Sequence, residues 1–368
     1  MRRVWMYTLL IIMSMQRIVA CRACCRTCAL LDMISTLIIR NNCVKWLLPA
    51  LLAVAGQAFA QDDARRWLGE MSSALRSLDY DGTFVYLHDG KLEAMRIVHQ
   101  AGEYGEMERL VSLTGSPREV LRDDRVVTCI MADSKSVMVG QSHTRQPFPV
   151  VPGDLDGLSH YYQLQEVGDD RMAGYLSRVI SITPKDKFRY GYRFWIDASN
   201  YMLLKSDLTD VDGKAIEQVM FTRLNVGGGI PVAALQPSLT GDGYNWSRQG
   251  ADSQNPAART GKPGWAVKRL PAGFELTDFQ HKRMRKDGAS VEHLVFSDGL
   301  ATMSVYVEKL QSDDDAFQGL SSMGAMNAFG AVVEGYQVTV VGEVPPATVQ
   351  MVASSVESTG PGSGPDHD

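Results

Sequence analysis

Between residues 62 and 78 the apolar positions recur at helical spacing. Trp67, Met71, Leu75 and Leu78 fall on one stripe, with Arg65, Glu70 and Arg76 largely off it, which predicts an amphipathic helix. The period then changes to two. Thr83–His88 reads as a strand, Asp89-Gly90 as a hairpin turn, and Leu92–His99 as the returning strand. Tyr104–Ser112, Arg125–Met131 and Ser136–Gly140 continue the series. Proline and glycine at 147, 149, 152, 153 and 157 interrupt it. Leu158–Val167, carrying Tyr161, Tyr162 and Leu164, reads as a second helix. Strands resume at Gly174–Ile182, Tyr190–Asp197, Tyr201–Leu208 and Glu217–Leu224, the last two joined by an Asp212-Gly213 turn.

A flat sheet of that length would expose a whole face and two edges. The pattern therefore predicts an α+β fold, mostly antiparallel β, with a large curved sheet wrapped around helices. Residues 240–264, rich in Gly, Ser, Asn and Pro and poor in apolar periodicity, read as a linker. Beyond it, Phe274–Arg285, Glu292–Phe296, Ala301–Lys309 and Tyr336–Val341 read as strands. Pro345-Pro346 opens a terminal helix whose apolar face includes Val349, Val352 and Val356. The expected organisation is an N-terminal domain at 61–239, the linker, a smaller mixed domain at 265–357 and a disordered tail at 358–368.

The first 60 residues stand apart. Arg40 and Lys45 precede a short apolar run, Ala58-Phe-Ala60 is a small-x-small box, and Gln61-Asp-Asp begins polar sequence. This is the grammar of a secretory signal peptide ending near Ala60, too short in its apolar core to span a bilayer comfortably. Residues 1–32 read as an upstream extension, with Met33 as the natural start; Trp5–Met13 as a separate apolar segment is the alternative. Five of the six cysteines lie in residues 1–60. Without that stretch the net charge moves from −5 to −11, since it carries seven Lys/Arg and a single Asp. That acidity argues against nucleic acid as a partner. Cys129, the lone cysteine left, reads as a small residue on a buried strand, with an intermolecular bridge as the alternative.

No motif of a hydrolase, a nucleotide-binding loop or a metal site is present, so neither an enzyme nor a cofactor is expected. Gly227-Gly-Gly229 lacks the pattern of a phosphate loop and reads as a connection. Asp154 and Asp156 read as solvated or helix-capping carboxylates rather than a cation site. Two features stand out. Aromatic and sulfur side chains could line an apolar cavity for an acyl group, with Trp67, Met71, Phe84, Tyr86, Phe194 and Trp195 as candidates and simple core packing as the alternative. The cluster His281, Lys282, Arg283, Arg285 and Lys286 is either a charged sheet edge or a site for an anion or an acidic partner.

Several segments in order resemble the MucB/RseB family of periplasmic regulators: Tyr190-Gly-Tyr-Arg-Phe-Trp-Ile-Asp197, Leu203-Leu-Lys-Ser-Asp207, Glu217-Gln-Val-Met-Phe-Thr222, Leu270-Pro-Ala-Gly-Phe274, His293-Leu-Val-Phe-Ser-Asp-Gly-Leu300 and Val340-Val-Gly-Glu-Val-Pro345. The resemblance spans residues 62–357. It implies an incomplete antiparallel barrel like that of the lipoprotein carriers, followed by a smaller mixed domain. It further implies negative control of the envelope-stress sigma factor. The protein would bind the periplasmic part of a membrane anti-sigma factor and shield it from proteolysis. Lipopolysaccharide or mislocalised lipoprotein would loosen that complex, with lipid, lipopolysaccharide or acylated peptide as the ligand. A periplasmic lipid or lipoprotein carrier is the alternative function, and a homo-oligomer is compatible with the sequence.

Overall fold

The structure is a computed structural model that describes residues 62–102, 105–123, 125–141, 148–149, 151–248, 262–283, 290–310 and 316–360. The upstream extension and the expected signal peptide, with the five cysteines of residues 1–60, lie outside these residues. All described residues belong to one compact unit, Gly56–Asp368.

Helix α1 covers residues 62–77. Two meanders follow. The first comprises β1 (Tyr80–His88), β2 (Lys91–Gly102), β3 (Gly105–Ser112), β4 (Arg118–Arg122), β5 (Val126–Met131) and β6 (Ser136–Gln141). A single helical turn, α2 (Leu155–Leu158), leads to the second: β7 (Tyr162–Met172), β8 (Tyr175–Pro184), β9 (Gly191–Asp197), β10 (Leu203–Thr209) and β11 (Ala215–Val226). β1 and β11 pair antiparallel and fuse the meanders. After the turn α3 (Val232–Leu235), β12 (Asn245–Arg248) adds to β6 in parallel. The result is a twelve-stranded sheet ordered β12-β6-β5-β4-β3-β2-β1-β11-β10-β9-β8-β7. It is strongly curved: the hydroxyl of Tyr175, on β8, reaches over β9 and β10 to donate to the Leu224 carbonyl at 2.7 Å.

The local chemistry explains the elements. Asp89 (φ 47°) and Gly90 (φ 69°) both adopt positive φ, the two-residue turn whose twist suits a hairpin. On β1, Tyr80, Gly82 and Phe84 alternate inward. The helical stripe docks against that face. Trp67, Leu68, Met71 and Leu75 are buried with Tyr80, Phe84, Ile97, Ile180, Phe194 and Phe221 in one cluster. Trp67 tilts onto Tyr201 at 4.9 Å, and Phe84, Phe148 and Phe221 meet at 5.4–5.7 Å between ring centroids.

A second, six-stranded antiparallel sheet follows. It consists of β14 (Glu275–Arg283), β15 (Ser290–Ser297), β16 (Thr302–Lys309), β17 (Gly319–Met323), β18 (Met326–Val333) and β19 (Tyr336–Gly342). Its order is β14-β15-β16-β19-β18-β17. Met303, Val305, Val307, Val338 and Val340 bury one face against helix α4 (Pro346–Ala353) through Val349, Val352 and Ala353. A short ribbon of β13 (Trp265–Val267) and β20 (Val356–Ser358) ties the start of this region to its end.

Several expectations need correction. Leu158–Val167 is not a helix: after α2 ends at Leu158 the chain enters β7, with Tyr162 and Leu164 buried and Gln163 and Gln165 exposed. The α1 helix is therefore the long helix of the sheet's inner face rather than one of two. Part of the expected linker, Asn245–Arg248, is the edge strand β12; residues 249–261 lie outside the described set. Val356 sits on β20 rather than on the α4 face, because α4 ends at Ala353. Ser358, expected in a disordered tail, pairs with Trp265, and 361–368 lie outside the described residues. Cys129, on β5, is half-buried, and burial pushes its thiol pKa up.

Candidate functional site

The two sheets meet through polar groups of unusual completeness. Arg189, between β8 and β9, and Asp298, in the β15–β16 turn, both have fully buried side chains and form an ion pair at 2.6 Å. The same Asp298 Oδ2 accepts from the Tyr162 hydroxyl at 2.9 Å. Its Oδ1 accepts the backbone N–H groups of Leu300 and Ala301 at 3.0 and 2.7 Å. The guanidinium also donates to the Ala272 carbonyl at 2.6 Å and to Asp186. Aromatic rings of Tyr161, Tyr162 and Phe274 surround it at 5.1–5.4 Å. A buried charge is tolerated when its partners saturate it, and here both members are saturated. Burial, reinforced by the Asp298 charge, pushes the Tyr162 phenol far above its ordinary pKa, so Tyr162 acts as a fixed donor.

Other contacts flank the pair. Gly273, at φ +88°, lies so close to the Tyr161 ring that a Cβ there would come within 2.3 Å of it; glycine is required for both reasons. Thr348 of α4 donates to the Phe188 carbonyl at 2.7 Å, and Asn327 of β18 donates to the Tyr190 hydroxyl at 3.0 Å. On β11, Glu217 accepts from Tyr86 at 2.6 Å and from the Ala325 N–H in the β17–β18 turn at 3.0 Å. Burial and the Glu217 hydrogen bond together raise the Tyr86 phenol pKa. Leu300 packs against the core of the large sheet.

Beside this network lies a cleft of about 510 Å³ whose walls come from both sheets. Tyr162, Tyr190 and Tyr192 line one side. Met303, Met326 and Glu343 lie on the other. The Tyr192 phenol pKa is pushed well up, by burial first and then by the charges of Glu343, Glu217 and Asp298.

The sequence candidates occupy other places. Trp67, Met71, Phe84 and Phe194 are buried side by side in the cluster between α1 and the sheet. Trp195, the next residue of β9, is buried in the same cluster. There its indole N–H donates to Asp170 at 2.8 Å, and Lys205 Nζ lies 3.9 Å from its ring centroid. Tyr86 is the member of the set that reaches the second sheet, through Glu217. None of the six lines the cleft. His281 lies on the edge strand β14, against Phe279 and 3.8 Å from Glu292. Lys282 and Arg283 continue that strand, while Arg285 and Lys286 lie outside the described residues. Asp154 caps α2 through the Gly157 N–H at 2.9 Å. Sequence reasoning missed Arg189 and Asp298. Arg189 closes the charged run Lys185-Asp-Lys-Phe-Arg189, which looks solvated, and its partner is 109 residues away.

The comparisons with known proteins fit this architecture. The family model of the MucB/RseB N-terminal domain matches residues 63–239, and that of the MucB/RseB C-terminal domain matches 259–357. The chain is 33% identical to the sigma factor AlgU regulatory protein MucB of Pseudomonas aeruginosa over 325 residues, covering 86% of this chain and 97% of that protein. It is 25% identical to the sigma-E factor regulatory protein RseB of Escherichia coli (strain K12), covering 84% and 96%. Among solved structures, MucB in the Pseudomonas aeruginosa MucA/MucB complex aligns with a TM-score of 0.63 at 29% identity, over 81% of this chain and 100% of that one. A chain matched along both domains by these models, and along nearly the full length of MucB, belongs to the MucB/RseB family of sigma-factor regulatory proteins.

Proposed function

We propose that the protein is a periplasmic negative regulator of an envelope-stress sigma factor. It binds the periplasmic segment of a membrane-embedded anti-sigma factor and shields that segment from regulated proteolysis. The observation that carries the reading is the match to MucB over 97% of that protein, joined to the likeness to MucB in its complex with MucA. The signal-like sequence ending at Ala60 supports export. Among the described residues no helix is long and apolar enough to cross a membrane. The role is regulatory binding rather than catalysis.

The regulatory step follows from the junction. Domains at 61–239 and 265–357 change their relative position only if the Arg189–Asp298 pair and its flanking bonds open together, so the change is discrete rather than gradual. A lipid or acylated ligand that prefers the open arrangement lowers affinity for the anti-sigma segment by shifting that population. The test is calorimetric titration of the cognate anti-sigma periplasmic segment into the exported protein, alone and with lipopolysaccharide, alongside cleavage of the segment by its protease. Binding and protection that lipopolysaccharide reverses are expected. No binding under either condition overturns the proposal.

A carrier of lipid or lipoprotein is the second reading, favoured by α1 resting on the inner face of a curved sheet. It predicts transfer of acylated cargo between membranes by residues 61–239 without the second sheet. A loss of transfer confined to the full chain would favour it less than regulation.

A further inference from the structure

The twelve- and six-stranded sheets end in four edge strands, and three of these carry the devices that keep an edge from pairing with another chain. β7 holds Glu166, Asp169, Asp170 and Arg171, and its register shifts between Glu166 and Gly168. β14 holds Glu275, Asp278, His281, Lys282 and Arg283, with a shift between Leu276 and Asp278. β12 is four residues long and ends on Arg248. β17 has none of these. Its five residues, Gly319-Leu-Ser-Ser-Met323, include no charge and no proline, and they pair with β18 without a shift. Among the described residues no strand pairs with its outer side.

The surroundings share that character. From Ala316 to Gly342 the single charged residue is Glu334, in the β18–β19 turn. Helix α4, packed on β18 and β19, has no charged side chain. Phe317, Leu320 and Met323 are exposed along the edge, and Val332 on β18 beside it. Leu320 is 52% exposed and Met323 70%. Alternation puts those two on opposite faces of the strand, so a neighbour laid beside β17 meets apolar surface on both. An antiparallel partner takes up the N–H and C=O groups of alternate residues only, so the others on β17 point away from β18.

We infer that β17 is a docking edge that takes an extended, uncharged, apolar segment of a partner polypeptide as a further strand of the second sheet. Main-chain hydrogen bonds hold the segment, and side chains on its two faces cover Leu320 and Met323. A charged segment is excluded, because its charges would lose water beside a surface with no counter-ion. A second copy is disfavoured as occupant: without residues 1–60 each chain carries a net charge of −11, so copies repel. The inference does not rest on the anti-sigma reading, since any polypeptide with such a segment satisfies it.

The test uses the chain from Gln61 to Asp368, labelled with 13C in its methionine methyls. A capped heptapeptide of alternating valine and threonine is titrated, alongside the same peptide N-methylated at every residue and a version with two threonines replaced by lysine. A saturable shift of the Met323 methyl is expected with the first peptide, with the buried Met71 and Met202 methyls unmoved as a sign of an intact fold. N-methylation should weaken binding about tenfold or more, the scale of two main-chain hydrogen bonds. The lysine peptide should also bind more weakly. Ser321→Lys, which puts a charge on the edge and leaves the backbone as it is, should weaken the first peptide about tenfold, and Leu320→Ser by a smaller factor. Absence of a saturable shift, equal binding of the N-methylated peptide, or full affinity in both variants overturns the docking edge. Equal binding of the lysine peptide overturns the uncharged occupant. A dimer in sedimentation that Ser321→Lys dissolves overturns the partner segment in favour of a second copy. Failure of the anti-sigma titration with the Met323 shift intact removes the proposed function and leaves the docking edge standing.

Discussion

The core between α1 and the large sheet and the Arg189–Asp298 centre of the junction between the two sheets are both fully buried, yet core and junction are built from opposite materials. The core is aromatic and aliphatic: Trp67, Met71, Phe84, Phe148, Phe194 and Phe221 fill it without a charge. The junction is held by an arginine, two carboxylates, two tyrosines, an asparagine and a threonine, each with a stated partner. Apolar burial is non-directional and tolerates small shifts. A desolvated ion pair holds in one geometry and is strongly unfavourable in any other, because separation strands a charge. The first region is suited to permanence and the second to a catch with two positions.

The sharpest way to break that contrast is Asp298→Ala. It leaves the Arg189 guanidinium buried without its main partner and should destabilise the junction by about 3–5 kcal/mol. Chemical denaturation should then show separate transitions for the two sheets where the wild type shows one. The double variant Arg189→Met, Asp298→Leu should regain most of the loss, which a non-specific effect of Asp298 would not allow. Met71→Ala removes a fully buried side chain from the core and should cost about 2–4 kcal/mol, with the denaturation midpoint lowered but a single transition retained.

Glu108, on β3, gives a pH test within the large sheet. Burial holds its carboxyl above the ordinary range, against the pull of Arg122 and His99. The folded pKa is raised, so its contribution is fully present below the unfolded value near 4.5 and is lost as pH rises through the folded value. Glu108→Gln should remove that decline from a stability profile measured upward from pH 4. The smallest effect is expected at Asp81, whose pair with Arg96 on the flank of β1 is open to solvent. Asp81→Asn should cost less than about 1 kcal/mol and should vanish in high salt. A loss comparable to that of Asp298→Ala would erase the distinction between the junction and an ordinary surface pair.

The core was far more legible in the sequence than the junction. The stripe of Trp67, Met71 and Leu75 is a repeating signal, and Asp89-Gly90 announces its own turn. Tyr161, Tyr162 and Leu164 misled because three residues cannot distinguish a helical face from a turn entering a strand. The deciding alternation of Tyr162, Gln163, Leu164 and Gln165 lay inside the same window. Arg189 carries no local signal. Its burial is decided by a turn that forms 109 residues later, and pairing across that distance has no periodicity to read. The sequence motifs around Leu270–Phe274 and His293–Leu300 supplied the contacting residues without revealing that they meet.

That separation along the chain also fixes an order of events during synthesis. Every strand of the large sheet is complete by Arg248, fifty residues before Asp298 exists. Until then the socket formed by Tyr161, Tyr162 and Arg189 stands open and hydrated, and the guanidinium is dehydrated only when the second sheet arrives. The growing molecule thus passes through a half-assembled stage whose exposed socket is the same surface that later seals the finished protein.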